Sequence, residues 1–264
     1  MPLDIPFYWV DAFAGRVFAG NPAAICPLDA WLPDATMQSI AFENNLAETA
    51  FFVPLEDGRF HLRWFTPALE IELCGHATVA AAWVVMNRLQ PGLQEVMFDS
   101  RSGNLPVRRD GEMYELDFPS RPARRVPLPA GLVQALGAEP EECWTGERDF
   151  MLVYDSEARV RSISPDFAKL TAVDAFAVIV TAPGNNHDFV SRFFAPRAGI
   201  NEDPVTGSAH CTLTPYWSGR LGKDSLRARQ ISARGGELVC TQRGDRVGIA
   251  GEATLYATGS FHLP

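Results

Sequence analysis

Glu48 is the first residue whose type and setting could carry out chemistry. It lies in residues 44–53, where the chain leaves a predicted helix and enters a predicted strand. With the two-residue period of a strand, Glu48 shares a face with Leu46, Ala50 and Phe52, so its carboxylate would lie where a core residue normally lies. A carboxyl group in apolar surroundings is suited to general acid or base catalysis. A strand-end glutamate that reaches water or pairs with an arginine would fit the same residues, and both interpretations stay open.

His76 and Asp203 are the next candidates for moving protons. His76 follows Gly75 at the start of a predicted helix, where the helix dipole favours the neutral imidazole over the imidazolium. Such a histidine could accept or donate a proton near neutral pH. Asp203 lies four residues before Gly207, which begins another predicted helix. The alternatives are a histidine that only caps its own helix and an acidic turn at residues 202–204.

Two cysteines on opposite faces of a substrate would support a different mechanism, racemisation by a thiolate and a thiol. Cys74 lies beside a predicted helix N-terminus, where thiolates are stabilised. The cysteine nearest the second such helix start is Cys211, which lies four residues beyond Gly207 and inside the helix. We therefore expect Glu48 rather than Cys74 to be the base.

The segments that must position these side chains occur as two similar stretches, about half a chain apart. The first reads Arg-Trp-Phe-Thr-Pro-Ala at 63–68 and leads to Cys-Gly-His-Ala at 74–77. The second reads Arg-Phe-Phe-Ala-Pro-Arg at 192–197 and leads to Thr-Gly-Ser-Ala at 206–209. Each glycine would begin a helix whose free backbone N–H groups and dipole can bind an anion. The repeat predicts two similar lobes that face each other and hold a small carboxylate between Gly75 and Gly207.

Hydrophobic periodicity and turn residues predict an α+β protein with many short strands and few helices. The predicted strands cover residues 5–13, 50–53, 60–66, 95–99, 113–118, 150–154, 175–181, 188–195, 238–242 and 246–250, with hairpin turns at 235–236 and 244–245. The predicted helices cover residues 33–44, 75–89, 130–136 and 207–219. The helix at 75–89 is apolar on every side over residues 77–86, which predicts burial on all sides.

A Pro- and Arg-rich segment near the midpoint, residues 118–127, is typical of a linker between domains. We therefore predict an N-terminal lobe of residues 1–117 and a C-terminal lobe of residues 118–253. The last strand, about residues 254–264, is predicted to return to the N-terminal lobe. Each lobe would contain a central buried helix wrapped by short strands.

Composition argues against several classes of function. A net charge of −9 and a pI near 5.1 do not suit a general binder of nucleic acid or anionic membranes, which needs clustered Lys and Arg. Five cysteines without metal-ligand spacing fit free thiols in a reducing compartment. The first residues do not resemble a signal peptide, and the longest apolar run is too short to span a bilayer. We expect a cytoplasmic protein.

Four motifs in register resemble those of the phenazine-biosynthesis PhzF-like isomerase family. They are Asp-Ala-Phe at 11–13 with Gly-Asn-Pro-Ala-Ala at 20–24, Asn-Leu-Ala-Glu-Thr-Ala-Phe at 45–51, Cys-Gly-His-Ala-Thr at 74–78, and Glu-Asp-Pro-Val-Thr-Gly-Ser-Ala at 202–209. Their order and spacing span nearly the whole chain. The resemblance implies a diaminopimelate-epimerase-like fold, with two pseudo-symmetric lobes that are each a curved, mostly antiparallel sheet round a central helix. It also implies an active site between the lobes, no cofactor, and a homodimer.

The resemblance also implies roles for individual residues. The glutamate that shuttles the proton in the family corresponds to Glu48. The residues that position the substrate or assist proton transfer correspond to Asn21, Gly75, His76, Asp203, Thr206, Gly207 and Ser208. Family members usually have a serine at the position of Ala47, so this chain lacks one potential hydrogen-bond donor to the substrate.

The sequence therefore predicts a cofactor-independent isomerase that transfers protons on a small carboxylate-bearing metabolite. Because one base reaches only one face of a substrate, Glu48 favours proton transfer between two carbons over inversion at one carbon. Two alternatives stay open. One is an amino-acid racemase or epimerase that pairs Glu48 with Asp203 or His76, and the other is a non-catalytic relative that binds a ligand or a protein.

Overall fold

The structure is a computed structural model that describes residues 3–263. Within this range it contains seventeen β-strands and six α-helices, so its mixed, sheet-dominated content agrees with the predicted α+β class. The chain forms two compact units, one of residues 3–117 with 250–263 and the other of residues 118–249. None of the helices in the described range is long and apolar enough to cross a membrane.

The elements follow one another in chain order with short connections. The strands are β1 (Leu3–Ala12), β2 (Asn21–Pro27), β3 (Glu48–Pro54), β4 (Phe60–Phe65), β5 (Glu70–Ile71), β6 (Glu95–Ser100), β7 (Gly103–Asp110), β8 (Met113–Pro119), β9 (Arg124–Arg125), β10 (Glu142–Thr145), β11 (Asp149–Val153), β12 (Ala177–Pro183), β13 (Phe189–Ala195), β14 (Ile200–Asp203), β15 (Ser225–Gln230), β16 (Gly236–Arg243) and β17 (Arg246–Leu263). The helices are α1 (Asp34–Asn44), α2 (Gly75–Val84), α3 (Leu132–Leu136), α4 (Glu157–Ser162), α5 (Phe167–Ala172) and α6 (Gly207–Leu221). A π-helical turn, Val85–Leu89, follows α2, and a 3-10 turn, Pro196–Ala198, follows β13.

Both units pair their strands in the same order. In the first, β1 is antiparallel to β2, β2 is parallel to β3, β3 is antiparallel to β4, and β4 is parallel to β6, while the short β5 pairs with β4. In the second, β10, β11, β12, β13 and β15 repeat this pattern, while the short β14 pairs with β13. A long helix follows the short strand in each unit, α2 after β5 and α6 after β14. The repeat in the sequence is thus also a repeat of structural elements.

The arginine of the repeated motif is bound in the same way in each unit. Arg63 makes two hydrogen bonds to the carboxylate of Glu70, at 2.7 and 2.8 Å. Arg192 makes two to Glu202, at 2.7 and 2.9 Å. All four side chains are largely buried, and each pair joins β4 or β13 to the short strand that leads to the long helix. These bidentate pairs therefore fix the approach to α2 and to α6.

Helix α2 is buried along most of its length, as its apolar sequence predicts. All of residues 76–82 are buried. The regular helix ends at Val84 rather than at the predicted Leu89, because the last residues widen into the π-helical turn. Within that turn the side chain of Asn87 donates to a backbone carbonyl one turn earlier, at 2.7 Å.

Helix α6 contains a proline, Pro215, which lacks the N–H that would bind the carbonyl of Cys211. The backbone N–H of Arg121 binds this carbonyl instead, at 2.9 Å. The segment that the sequence marks as a linker therefore packs directly on α6. The helix continues beyond the predicted end at Gly219, because Gly222, with φ of 64°, supplies the left-handed C-cap.

Several predicted elements need correction. The first strand stops before Phe13, because that residue has a φ of 62°, which no strand can accommodate. The short helix predicted at 130–136 begins at Leu132. Strands β2, β5, β7, β9, β10, β14 and β15 and helices α4 and α5 lie where the sequence predicts no element.

Breaking the Arg192–Glu202 pair is expected to destabilise the second unit. The Arg192→Met variant leaves the largely buried Glu202 carboxylate without its partner and removes hydrogen bonds to two backbone carbonyls. We expect the free energy of unfolding, measured by urea denaturation, to fall by about 2–4 kcal/mol. The control variant Arg108→Met breaks an exposed pair with Glu95 and should cost less than about 1 kcal/mol. Equal losses in the two variants would contradict a positioning role for the buried pair.

Candidate functional site

Glu48 begins β3 and is buried, with 7% of its surface exposed. Strand β3 lies between β2 and β4, and Glu48 pairs with Ala23 of β2. All of residues 48–53 are buried, so both faces of the strand are covered and the carboxylate lies where a core residue normally lies. A carboxylate in such a place requires a compensating partner.

His76 supplies that partner. It is the second residue of α2, it is buried, and its Nε2 atom lies 3.0 Å from Oε2 of Glu48. The two atoms are close but are not aligned as a hydrogen bond, and neither has a hydrogen-bond partner among residues 3–263. The contact is therefore an electrostatic one. The Oε2 atom of Glu48 therefore has no hydrogen bond that would compete for its lone pairs.

The second ring nitrogen of His76 contacts two other residues. Nδ1 lies 3.2 Å from Nδ2 of Asn21, the first residue of β2, and 3.4 Å from Sγ of Cys74. In the neutral ring with its proton on Nε2, Nδ1 accepts a hydrogen bond from the Asn21 amide. In the imidazolium, Nδ1–H is directed at the sulfur of Cys74. His76 thus has a partner in both charge states, which suits a group that gains and loses a proton.

The charges around His76 determine its protonation. Burial disfavours the imidazolium, but the Cys74 sulfur and the Glu48 carboxylate outweigh it and hold the pKa of His76 well above its usual value. The direction of this shift is opposite to the expectation that the helix N-terminus keeps this ring neutral. Burial, with the nearby charge of Glu48, raises the pKa of the Cys74 thiol to about 11. A thiolate at Cys74, which the two-cysteine mechanism requires, is therefore disfavoured.

The second cysteine of the two-thiol mechanism is no better suited as a base. Cys211 is buried inside α6, and burial raises the pKa of its thiol to about 12. All five cysteines of the chain are free and buried. These thiols are protonated near neutral pH, which favours Glu48 over a cysteine as the base.

Glu48, Cys74 and His76 also form the one group in residues 3–263 whose side chains could hold a metal ion, with ligand atoms within 4.8 Å of one another. Carboxylate, thiolate and imidazole are common zinc ligands. However, His76 turns Nε2 toward Glu48 and Nδ1 toward Cys74. Because one ion would bind only one ring nitrogen, the arrangement fits ion pairing and hydrogen bonding better than joint coordination. The absence of a cofactor stays a prediction.

The second unit carries Asp203 and the residues that open α6. The carboxylate of Asp203 accepts a hydrogen bond from the hydroxyl of Thr206, which immediately precedes the helix. The Gln230 side chain in β15 accepts from the backbone N–H of Thr206 at 2.9 Å and donates to the backbone carbonyl of Asp203 at 2.7 Å. This buried amide fixes both residues at the helix entrance, where Gly207 and Ser208 form the first turn.

Neither α2 nor α6 has a side-chain cap at its N-terminus. Cys74 precedes the first helix without capping it, and Thr206 precedes the second with its hydroxyl directed to Asp203. The first backbone N–H groups of both helices can therefore bind an anion.

The predicted site residues form two groups. Asn21, Glu48, Gly75 and His76 meet in the first unit, and Asp203, Thr206, Gly207 and Ser208 meet in the second. That the two groups act on one substrate stays a prediction.

Two further residues of this region carry no sequence signal. Gln230 is a single glutamine at the end of a strand, and only the folded chain shows that its amide binds Thr206 and Asp203. Arg148 lies in a short loop between β10 and β11, yet its guanidinium lies 3.4 Å from the hydroxyl of Ser208. Arg148 lies about sixty residues before Ser208, and Gln230 ends the strand that follows α6, so no local motif could identify them.

The chain is similar to known proteins over nearly its whole length. Residues 10–259 match the PhzC-PhzF family, described as phenazine biosynthesis-like proteins. An uncharacterized isomerase of Pseudomonas aeruginosa is 50% identical over 262 residues, which cover 99% of this chain and 100% of the relative. The crystal structure of a phenazine biosynthesis protein of the PhzF family from Enterococcus faecalis matches with a TM-score of 0.96 at 49% identity, covering 99% of this chain and 100% of that chain. A hydroxyproline epimerase from Agrobacterium vitis shares the fold alone, with a TM-score of 0.65 at 10% identity over 98% of this chain and 93% of that chain. The resemblance carried by the four motifs is confirmed.

A buried histidine beside Thr206 gives a prediction for the pH dependence of stability. His210 in α6 donates from Nδ1 to the Thr206 carbonyl at 2.8 Å, and burial lowers its pKa from 6.5 to about 4. Below pH 6.5 His210 binds a proton in the unfolded chain but stays neutral in the folded chain. The contribution of His210 to the free energy of unfolding is therefore complete above pH 6.5 and is lost as the pH falls toward 4.

Between pH 7 and pH 4 we expect the wild type to lose up to about 3 kcal/mol more unfolding free energy than His210→Gln. Glutamine keeps a donor for the Thr206 carbonyl but does not titrate, so the difference isolates the imidazole. The measurement is urea denaturation at a series of pH values. Parallel losses in the two proteins would show that His210 is not the group responsible.

Proposed function

This chain belongs to the phenazine biosynthesis-like PhzC-PhzF family, and we propose that it is a cofactor-independent isomerase that moves a proton between two carbons of a small carboxylate-bearing metabolite. The observation that supports this most strongly is the buried Oε2 of Glu48, which lies beside an imidazole and has no hydrogen-bond donor among residues 3–263. A carboxylate bound by several donors would be a poor base, whereas this oxygen is held in place and remains able to take a proton.

In the proposed reaction, Glu48 removes a proton from a carbon next to an electron-withdrawing group of the substrate. The electron pair left on that carbon shifts along the conjugated system, and the protonated Glu48, whose proton exchanges with solvent while it is held there, delivers a proton to another carbon on the same face. His76, with its raised pKa, carries a positive charge that stabilises the carboxylate before the transfer. The reaction is balanced without an oxidant, a reductant or a second substrate.

We propose that the backbone N–H groups at the starts of α2 and α6, at Gly75 and Gly207, bind the anionic groups of the substrate. Such groups stabilise charge that develops on an oxygen during proton transfer. Asn21, Thr206 and Ser208 would then be substrate-binding residues, and Asp203 would assist as a second acid or base. Two facing lobes, each a curved sheet round α2 or α6, would suit this arrangement.

We also propose a homodimer in the cytoplasm that binds neither nucleic acid nor membranes. The net charge of −9 supports the lack of nucleic-acid binding, and five free cysteines support a reducing compartment.

A racemase or epimerase that uses two bases is the second candidate, since a hydroxyproline epimerase shares the fold. Inversion at one carbon needs bases on opposite faces of the substrate. Glu48 and His76 lie 3.0 Å apart and would reach the same face, so this pair favours transfer between two carbons. The pair of Glu48 and Asp203 remains the version of this candidate to be tested. A non-catalytic relative would bind a ligand without any proton exchange.

The Glu48→Gln variant tests the proposed shuttle. The protein is incubated in D₂O with a panel of small unsaturated and amino carboxylates, and mass spectrometry and NMR measure deuterium uptake and its position. Glutamine keeps the size and polarity of the side chain but cannot carry the proton, so exchange and turnover should fall by about 10²–10⁴-fold. The fold should be retained, because a neutral group replaces a buried ionisable one.

Two control variants accompany this test. Glu56→Gln removes an exposed carboxylate in the turn between β3 and β4 and should leave exchange unchanged. Cys74→Ala removes the neighbouring thiol and should stay within a few-fold of the wild type. Full activity in Glu48→Gln would show that Glu48 is structural, and loss of activity in Cys74→Ala instead would identify the thiol as the base. Exchange confined to a single stereogenic carbon would favour the epimerase.

A further inference from the structure

Arg148 reaches the first turn of α6 from a loop that is distant in sequence. It lies between β10 and β11, and its Nη2 donates to the hydroxyl of Ser208 at 3.4 Å. Ser208 is the second residue of α6 and one of the proposed substrate-binding residues. The guanidinium therefore lies beside the helix N-terminus that is proposed to bind an anionic group.

The guanidinium is held in place by its neighbours. It lies over the ring of Phe176, with 4.3 Å between the guanidinium carbon and the ring centre, and its Nε is 3.4 Å from Oδ1 of Asp149. Arginine stacks in this way on aromatic rings while it keeps its edge free for hydrogen bonding. The side chain is still 44% exposed, and its Nη1 has no partner among the residues that the structure describes. Arg148 is thus oriented and still has donors available.

Charges of both signs lie at the start of α6. The charges of Arg121, Arg246 and Arg148 all act on the Cys211 thiol in this helix, against the effect of burial, which raises its pKa. The chain as a whole carries a net charge of −9. Two carboxylates also lie here: Asp149 is buried beside Arg148, and Asp203 accepts a hydrogen bond from Thr206 at the helix start. The guanidinium of Arg148, beside a helix N-terminus, favours the binding of an anion.

We propose that Arg148 is a specificity residue that binds a second anionic group of the substrate, so that the substrate is a dianion such as a small dicarboxylate. One carboxylate would bind the N–H groups of α6 and the other would bind the free edge of Arg148. This inference rests on the proposed function, because it assigns a substrate class to the same site. An arginine that only supported Asp149 and Ser208 would add no preference between ligands of one and two charges.

Binding of two matched probes tests the inference. Succinate and butyrate have four carbons each and differ in one carboxylate, and isothermal titration calorimetry gives the affinity of each for the wild-type protein. Only succinate has a second carboxylate that can accept a charge-assisted hydrogen bond from Arg148. We therefore expect succinate to bind about tenfold or more tightly than butyrate. Arg148→Met should reduce this preference to nearly none, mostly by weakening succinate, and Arg148→Lys should restore part of it.

The matched control is Arg197→Met. Arg197 is also 44% exposed, is also paired with an aspartate and lies in the same unit, so its loss changes the net charge equally. Its variant should keep the wild-type preference for succinate. A wild type that binds neither probe or binds both alike, or an Arg148→Met variant that keeps the preference, overturns the inference.

The outcome is separable from that of the Glu48 experiment. Glu48→Gln should still prefer succinate, since the carboxylates are bound elsewhere. Lost exchange in Glu48→Gln with no dianion preference would refute only the role of Arg148. A preference that depends on Arg148, together with full exchange in Glu48→Gln, would refute the proposed proton shuttle instead.

Discussion

A buried carboxylate held 3.0 Å from a buried imidazole is the constraint on which the first unit depends. Neither Glu48 nor His76 could remain charged alone in an apolar interior, so the fold has to bring β3 and the start of α2 together. The parallel pairing of β2 with β3 places Asn21 at the imidazole, on the side opposite Glu48. The Arg63–Glu70 pair fixes the strand that leads into α2. The apolar burial of α2 then keeps His76 at a defined position.

The second unit uses the same framework for different chemistry. Its strands pair in the same order, and the Arg192–Glu202 pair corresponds to the Arg63–Glu70 pair of the first unit. At the helix start, however, Thr-Gly-Ser replaces Cys-Gly-His, so hydroxyl groups stand where the first unit has a thiol and an imidazole. Asp203 is already bound to Thr206 and fixed through Gln230. In the proposed function, the base Glu48 therefore belongs to the first unit, while the starts of both α2 and α6 supply anion-binding groups.

The sequence predicted the elements whose cause is local and missed those whose cause is not. The buried helix α2 follows from its apolar residues, and the glycine-started helices from the repeated motif. Strand β2 begins Asn-Pro-Ala-Ala, which has little strand propensity, and it forms because β1 and β3 pair with it. Helices α4 and α5 were missed because each has only six residues, too few to show a helical period. Their N-cap residues, Ser156 and Asp166, are nevertheless of the types that commonly begin a helix. The pKa of His76 is raised first by Cys74, two residues earlier in the sequence, and then by Glu48, whose distance from the imidazole no spacing in the sequence supplies.

The charge of His76 at neutral pH is the most direct measure of this account, because the proposed shuttle depends on an ion pair. Nitrogen-15 NMR of histidine-labelled protein reports whether one or both ring nitrogens carry a proton, and a His76→Asn variant assigns the signal. The account predicts an imidazolium in the wild type at pH 7.5 and a neutral ring in Glu48→Gln, where the opposing charge is gone. A neutral His76 in the wild type, or the same signal in both proteins, would contradict it.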